Sequence, residues 1–296
     1  TYIVQDYVIA KNPDLVFIEY AINDTYGGFD KVRAALQLET IVREIKTALP
    51  KADIVILLSG DHGQLSGNAW YFPTAQGHAD IAEHYNLPLV YMGRALYDHI
   101  VENSLSWNSF YKDNVHPLDA GYAYYFEVVK EYLGNALLHT QLSDTYKTSQ
   151  PPALYSDHLL DGDRALVYAT EEMLDGNDGW SRSSANINPV FSKKGSIVQN
   201  ISDTMKPFTY TFNGTELAIY TNLYSPVQYE LTVDGETSTV TFSGHNPTTV
   251  VSGLSGGEHT VTIKPIADTV PSGTTTMQID AVMYRDETKE TRKNAE

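Results

Sequence analysis

From Asp14 to Ile22 the chain reads Asp-Leu-Val-Phe-Ile-Glu-Tyr-Ala-Ile, a near-continuous apolar run that follows the turn signal Asn12-Pro13. Such a run fits a parallel strand covered on both faces. Between Phe29 and Leu49 the apolar residues Val32, Leu36, Ile41, Ile45 and Leu49 fall at helical spacing, and Pro50 closes the segment. A second buried strand follows at Ile54-Val55-Ile56-Leu57-Leu58. After a long loop the sequence predicts a helix over Ala75 to Tyr85, a strand over Leu87 to Tyr91, a helix from about Arg94 and a last helix near Leu118 to Leu137. Strand and helix in alternation predict an α/β layer with a parallel sheet. Residues 139–160 hold Thr145, Ser149, Pro151 and Pro152 without periodicity and read as a connector. Beyond them the period drops to two. Phe208 to Phe212 runs into Asn213-Gly214 and then Glu216 to Tyr220, and Gln228 to Val233 meets Asp234-Gly235. His259 to Ile263 and a late Ile279-Asp280-Ala281 strand complete an all-β sandwich or jelly roll over 161–285, with 286–296 as a charged, flexible tail.

Composition narrows the class of protein. At 296 residues the chain exceeds what one core usually organises, in line with two domains. Hydrophobic residues make up 42% and charged residues 19%, which is the composition of a folded chain. No stretch approaches the roughly 18 apolar residues that a membrane-spanning helix needs. Asp and Glu number 37 against 20 Lys and Arg, and the formal charge of −17 repels phosphate backbones and anionic lipid. Nucleic acid is therefore not an expected partner. The absence of cysteine removes disulfides, thiolate nucleophiles and cysteine-ligated zinc together, and is compatible with either redox compartment. The 21 tyrosines suit sugar-binding surfaces and equally suit half-buried positions in β-rich domains.

Two short motifs carry chemistry. In Asp113-Asn114-Val115-His116-Pro117 a carboxylate stands three residues before an imidazole, and the proline sets the exit into a helix. An aspartate that accepts from one ring nitrogen leaves the other free to take a hydroxyl proton. Alone, the pair also fits a surface loop. Asn23-Asp24 lies at the carboxyl end of the first predicted strand, where open α/β sheets place their ligands. The Asn23 amide is suited to donate to a developing oxyanion, and Asn and Asp are equally at home as turn or helix caps. Ser59-Gly60-Asp61-His62-Gly63 has histidine where a nucleophile would stand and reads as a loop at a strand end.

Taken together, the strand ending in Asn23-Asp24 and the late Asp113-Asn114-Val115-His116-Pro117 followed by Gly121 resemble the SGNH, or GDSL-like, hydrolase family over about residues 1–138. Ile81-Ala82-Glu83-His84-Tyr85-Asn86-Leu87-Pro88 is similar to the family's helix before its last strand. The resemblance implies a doubly wound parallel (flavodoxin-like) sheet, Asn23 in the oxyanion hole, Asp113 as the orienting acid and His116 as the base. Ala21 stands where the family often has glycine. A larger departure is that the family's Gly-Asp-Ser block and oxyanion glycine are not in this sequence. The family's first strand is central in its sheet, so the Leu15 to Ile22 strand is expected to have an unpaired edge and an uncovered apolar face. The implied whole is a sheet lacking its first strands, whose nucleophile belongs to a missing segment or to a separate N-terminal chain of the same protein.

The implied activity is a serine esterase acting on short acyl esters, acetyl foremost, of carbohydrate or of a small ester. An acetyltransferase is a variant, and the chain alone is expected to be inactive. The competing class is a non-catalytic glycan-binding protein with a remnant hydrolase domain. Trp70, Trp107 and Tyr111 flank the site in sequence and are candidates for a sugar platform; covering the sheet edge and the last helix is the alternative. In the β-rich half, Trp180, Tyr220, Tyr224 and Tyr229 are candidates for glycan contact. The nine histidines show no metal-binding spacing, and Asp161-Gly162-Asp163 and Asp175-Gly176-Asn177-Asp178 lack the continuation of a calcium loop. No cofactor or catalytic metal is expected. Localisation is open, with an extracellular or periplasmic site favoured by the substrate class.

Overall fold

The computed structural model describes residues 2–67, 69–139, 152–156, 164–184, 190–191, 194–223, 226–242 and 247–289. They fall into two compact units, built on Ile3–Leu160 and Asp161–Thr291. Asp157-His158, the Asp161-Gly162-Asp163 loop, Tyr224, and most of the connector and tail lie outside the described residues.

The first unit holds a parallel sheet in the order β1 (Leu15–Ile18), β2 (Asp53–Leu57) and β3 (Leu89–Val90). Around it, in chain order, lie α1 (Val4–Tyr7), α2 (Ala21–Tyr26), α3 (Lys31–Ala48), α4 (His62–Leu65), α5 (Pro73–His84), α6 (Met92–Glu102) and α7 (Asp119–His139). The Asp30 side chain caps α3 by accepting from the Arg33 N–H at 2.7 Å, and Pro73 opens α5 at a position where a missing N–H costs nothing. Along α3 the buried Ala35, Leu38, Val42 and Ile45 form one stripe that packs on Val16, Ile18, Ile54 and Ile56. The opposite face of β2 bears Val55 and Leu57, covered by α6 and α7 through Leu96, Ile100 and Tyr125.

That second face is not closed over β1. Phe17 is the register partner of Val55, and paired residues of parallel strands present their side chains to the same face. Val55 is buried, whereas Phe17 is 42% and Leu15 39% exposed. β1 pairs with β2 only, and its other edge meets no strand among the described residues. On α7, Tyr122 and Phe126 are also exposed.

In the second unit one sheet has the antiparallel order β10-β9-β12-β7, from β7 (Phe208–Asn213), β9 (Val227–Val233), β10 (Glu236–Phe242) and β12 (Glu258–Pro265). The other runs β11-β8-β13-β6-β5, from β5 (Ser181–Ser183), β6 (Ser196–Asn200), β8 (Glu216–Thr221), β11 (Thr248–Val251) and β13 (Thr276–Arg285), with β4 (Arg164–Tyr168) also paired to β13. Alternate residues of both sheets, among them Phe208, Tyr229 and Val261 against Ile197, Ile219 and Ile279, fill one core. The fold is thus an α/β layer followed by an all-β sandwich. Asn213-Gly214 and Asp234-Gly235 turn the chain where the sequence placed them, with Asp234, Gly214 and Gly235 at positive φ.

A pair of a buried imidazole and a half-exposed carboxylate braces this sandwich. His259 Nδ1 lies 2.6 Å from Asp234 Oδ2 and Nε2 lies 2.8 Å from the Ser255 carbonyl. Both partners only accept, so both contacts are satisfied together only by the imidazolium. The bond to Asp234, then that to Ser255, holds His259 above its ordinary titration range, and the His259 bond and the Thr260 N–H hold Asp234 below its own. A raised histidine stabilises below its unfolded value and loses the effect as pH rises through the folded value. A lowered aspartate stabilises above its unfolded value and loses the effect as pH falls. The contribution is therefore full between about pH 4 and pH 6.5. Thermal melts across pH should show His259→Gln flattening the decline above that window, and an unchanged profile would refute the assignment.

Candidate active site

The Asp113–His116 turn is built locally and then pinned from outside. Tyr111 and Pro117 form an antiparallel bridge, the Lys112 N–H donates to the His116 carbonyl at 3.0 Å, and the Leu118 N–H donates to the Phe110 carbonyl at 2.7 Å. Gly121, in the first turn of α7, lies so close that a Cβ there would stand 2.4 Å from the Phe110 oxygen. Inside the turn, Asp113 Oδ1 accepts the N–H groups of Val115 at 2.9 Å and His116 at 2.8 Å. Its Oδ2 lies 2.9 Å from His116 Nδ1. These backbone N–H groups, His116 first, together with the imidazole, hold the Asp113 carboxyl down at about 2. An ionised carboxylate can only accept, so in the neutral ring the proton sits on Nδ1 and the lone pair on Nε2.

Asn23 does not end a strand. β1 stops at Ile18, and Ala21 to Tyr26 are the helix α2, with the Asp24 N–H bonded to the Tyr20 carbonyl. Ala21-Ile22 continues the apolar run because this helix turns them into the core, and hydropathy alone does not separate a strand from the start of a buried helix. α5 holds α2 in place. Thr74 Oγ1 donates to the Ala21 carbonyl at 2.7 Å, and His78, with no exposure, places Nε2 at 3.3 Å from the buried Asp24 Oδ2. Asp24 thereby points away while Asn23 looks out.

Asn23 and His116 line the same cavity, of about 900 Å³. Its wall is mainly apolar, with Ile22, Leu57, Met92, Val115 and Phe126, and its polar groups include Glu19 and Ser59, whose Oγ donates to Glu19 Oε1 at 2.6 Å. An imidazole nitrogen free to accept a proton and an amide donor facing one mainly apolar cavity can together move a proton and stabilise a developing anion.

The aromatic candidates separate. Tyr111 is 1% exposed, its ring stacked on Trp107 at 3.7 Å and its hydroxyl 2.6 Å from that of Tyr125, so it offers no ring face to a sugar. Burial pushes its phenol up to about 12. Trp107 is half-buried and donates Nε1–H to the Asp113 carbonyl at 2.9 Å. Trp70 is exposed under the Arg94 guanidinium and is not part of the cavity wall. In the second unit Trp180 and Tyr229 are buried in the sandwich core, and Tyr220 is buried on the outer face of its sheet, stacked on Phe191, so none of the three offers a ring to glycan as placed. Asn177 is bonded to Met173 and Thr209 as a turn brace. Among the described residues no three His, Asp or Glu side chains converge as a metal-binding group. Sequence reasoning passed over Glu19, whose signal was a lone carboxylate within the first apolar run, and His78, whose partner lies 54 residues away.

Residues 4–124 match the model of the GDSL-like lipase/acylhydrolase family. The match lies within the first unit, which is therefore similar to GDSL-like hydrolase domains over those residues. Two solved structures of a two-domain esterase active on acetylated mannans share the fold. One, co-crystallised with mannopentaose, is 19% identical with a TM-score of 0.63, over 99% of this chain and 76% of that chain. The other is 18% identical with a TM-score of 0.65, over 97% and 76%. No curated protein sequence matches the chain.

Proposed function

We propose that this chain is the larger part of a serine esterase that removes acetyl groups from carbohydrate, with the nucleophilic serine and an oxyanion glycine carried by a further segment. The observation that carries the reading is the shared cavity of His116 and Asn23, with Asp113 fixing the His116 tautomer. The serine oxygen attacks the ester carbonyl while His116 Nε2 takes its proton. Asn23 donates to the oxyanion, and Nε2 returns the proton to the leaving sugar oxygen as the acyl-enzyme forms. Water then repeats the sequence against the acyl-enzyme. The open β1 edge, the exposed Leu15 and Phe17 and the open cavity supply a docking place for a parallel strand and its apolar cover. The acetylated mannans of the structural neighbour support an acetylated polysaccharide as substrate, in agreement with the apolar cavity and the acidic surface.

The experiment is labelling with a fluorophosphonate, which modifies activated serines. The chain as given should remain unlabelled, and a complex with a Gly-Asp-Ser segment should be labelled on that segment. Modification of Ser59 in the isolated chain would overturn the reading.

A further inference from the structure

The segment Ser59-Gly60-Asp61-His62-Gly63 holds no reacting group in the scheme above, yet its polar groups reach both halves of the site. Behind it, Gly93 of α6 packs so tightly that a Cβ there would stand 2.7 Å from the Ser59 carbonyl carbon, so the loop rests on a rigid floor. On one side Asp61 Oδ2 accepts from the Tyr26 hydroxyl at 3.1 Å. Tyr26 follows Asn23 by three residues on the same face of α2, and both line the cavity. On the other side the His62 N–H donates to the Asn114 carbonyl at 2.9 Å, inside the turn that carries Asp113 and His116. The His62 ring stands edge-on to Trp107 with centroids 5.0 Å apart, and Trp107 holds the Asp113 carbonyl. Asp61 Oδ1 meanwhile caps α4 through the Gln64 N–H at 2.8 Å, which fixes the direction of the His62 N–H.

We propose that Asp61 is a positioning residue that sets Asn23 against His116, joining α2 to the Asp113–His116 turn through the loop it caps. It touches no reacting atom, and the inference rests on the roles given above to Asn23 and His116. The residue type follows from the geometry. Two separate acceptors are needed, one for the Tyr26 hydroxyl and one for the Gln64 N–H. At 8% exposure a carboxylate is costly to bury unless both oxygens are used. Asparagine retains one acceptor, and alanine retains none.

The test is proton NMR of the full chain, reading the His116 Nδ1–H signal, which reports the bond to Asp113 and needs no turnover. Tyr26→Phe deletes one hydroxyl at an exposed position. It should broaden or abolish that signal and leave the thermal midpoint unchanged. Asp61→Ala should abolish the signal, and Asp61→Asn should restore part of it. Retention of the signal in both Tyr26→Phe and Asp61→Ala would overturn the proposal. Loss in Asp61→Ala with retention in Tyr26→Phe would overturn it as well, by reducing Asp61 to a helix cap. Should Asp61→Ala fail to fold, Tyr26→Phe decides. The esterase reading stands or falls separately, on the fluorophosphonate labelling.

Discussion

His116→Ala should lower kcat on p-nitrophenyl acetate by about 10⁴-fold or more in the complex completed with a serine-bearing segment. The size follows from what the ring does. In the proposed mechanism it takes the serine proton and returns it to the leaving oxygen, and no second imidazole lines the cavity to replace it. Asp113→Asn should cost a comparable factor by a different route. An amide NH₂ facing Nδ1 favours the tautomer with the proton on Nε2, which removes the base while leaving the turn's backbone in place. Asn23→Ala should cost about 10²–10³-fold, the usual loss of one oxyanion donor. KM should change little in all three, because these groups act on the reacting atoms. Steady-state kinetics on the four proteins decides the point. Retention of more than about a tenth of the activity by His116→Ala would remove the imidazole from the mechanism.

Glu39→Ala should destabilise the first unit by about 3 kcal/mol or more, the largest single-residue loss expected outside the apolar core. Glu39 has no exposure, although it sits in the middle of α3. Its Oε1 accepts from the Tyr85 hydroxyl at 2.5 Å and the Tyr155 N–H at 2.6 Å, and its Oε2 accepts from the Ser156 N–H at 2.7 Å. Arg43 Nη1 donates to the Tyr85 hydroxyl and to the Pro152 carbonyl, and His84 Nε2 meets the Ala153 carbonyl at 2.7 Å. Burial and the Glu39 bond together push the Tyr85 phenol well above its ordinary range. Residues 152–156, which read in sequence as connector, are therefore strapped across α3 and α5. The alanine variant takes away an acceptor that three donors share. Glu39→Gln should be intermediate, since its amide oxygen can serve one side while its NH₂ opposes an N–H on the other. Urea denaturation gives the loss, and hydrogen exchange at Tyr155 and Ser156 shows whether the strap opens first. Unchanged exchange in Glu39→Ala would refute the clasp.

What was legible beforehand was local in the chain. The three-to-four-residue spacing of Val32, Leu36, Ile41, Ile45 and Leu49 marked the α3 helix but not its buried face: Val32 is 71% exposed, and Ala35, Leu38, Val42 and Ile45 form the stripe that packs on the sheet. Asp113 and His116 stand three residues apart, and one turn suffices to bring a carboxylate to a ring nitrogen. The sandwich strands and their Asn-Gly and Asp-Gly turns were similarly readable, because each signal fits within a few residues. Aromatic residues were where this reasoning failed. A tyrosine on a sugar platform and a tyrosine in a core are the same letter, and the covering of Tyr111 by Trp107 and Tyr125 depends on how α7 returns over the sheet.

The chain's order of residues was enough to specify an α/β layer before a β-sandwich and to bring Asp113 within a turn of His116. Those properties arise from periodicity and from contacts closed within a turn or two. Folding in three dimensions settled that Asn23 rides a helix tied by His78, that Asp61 links Asn23's helix to His116's turn, and that Glu39 binds a strap 116 residues downstream. It also settled that, among the described residues, one edge of β1 has no partner strand and Leu15 and Phe17 on one of its faces are exposed. Each of these joins groups 35 or more residues apart in the chain, or depends on which surfaces neighbouring elements leave bare. Spacing along a sequence carries no information about such pairs, because their proximity is produced by the packing of the elements between them.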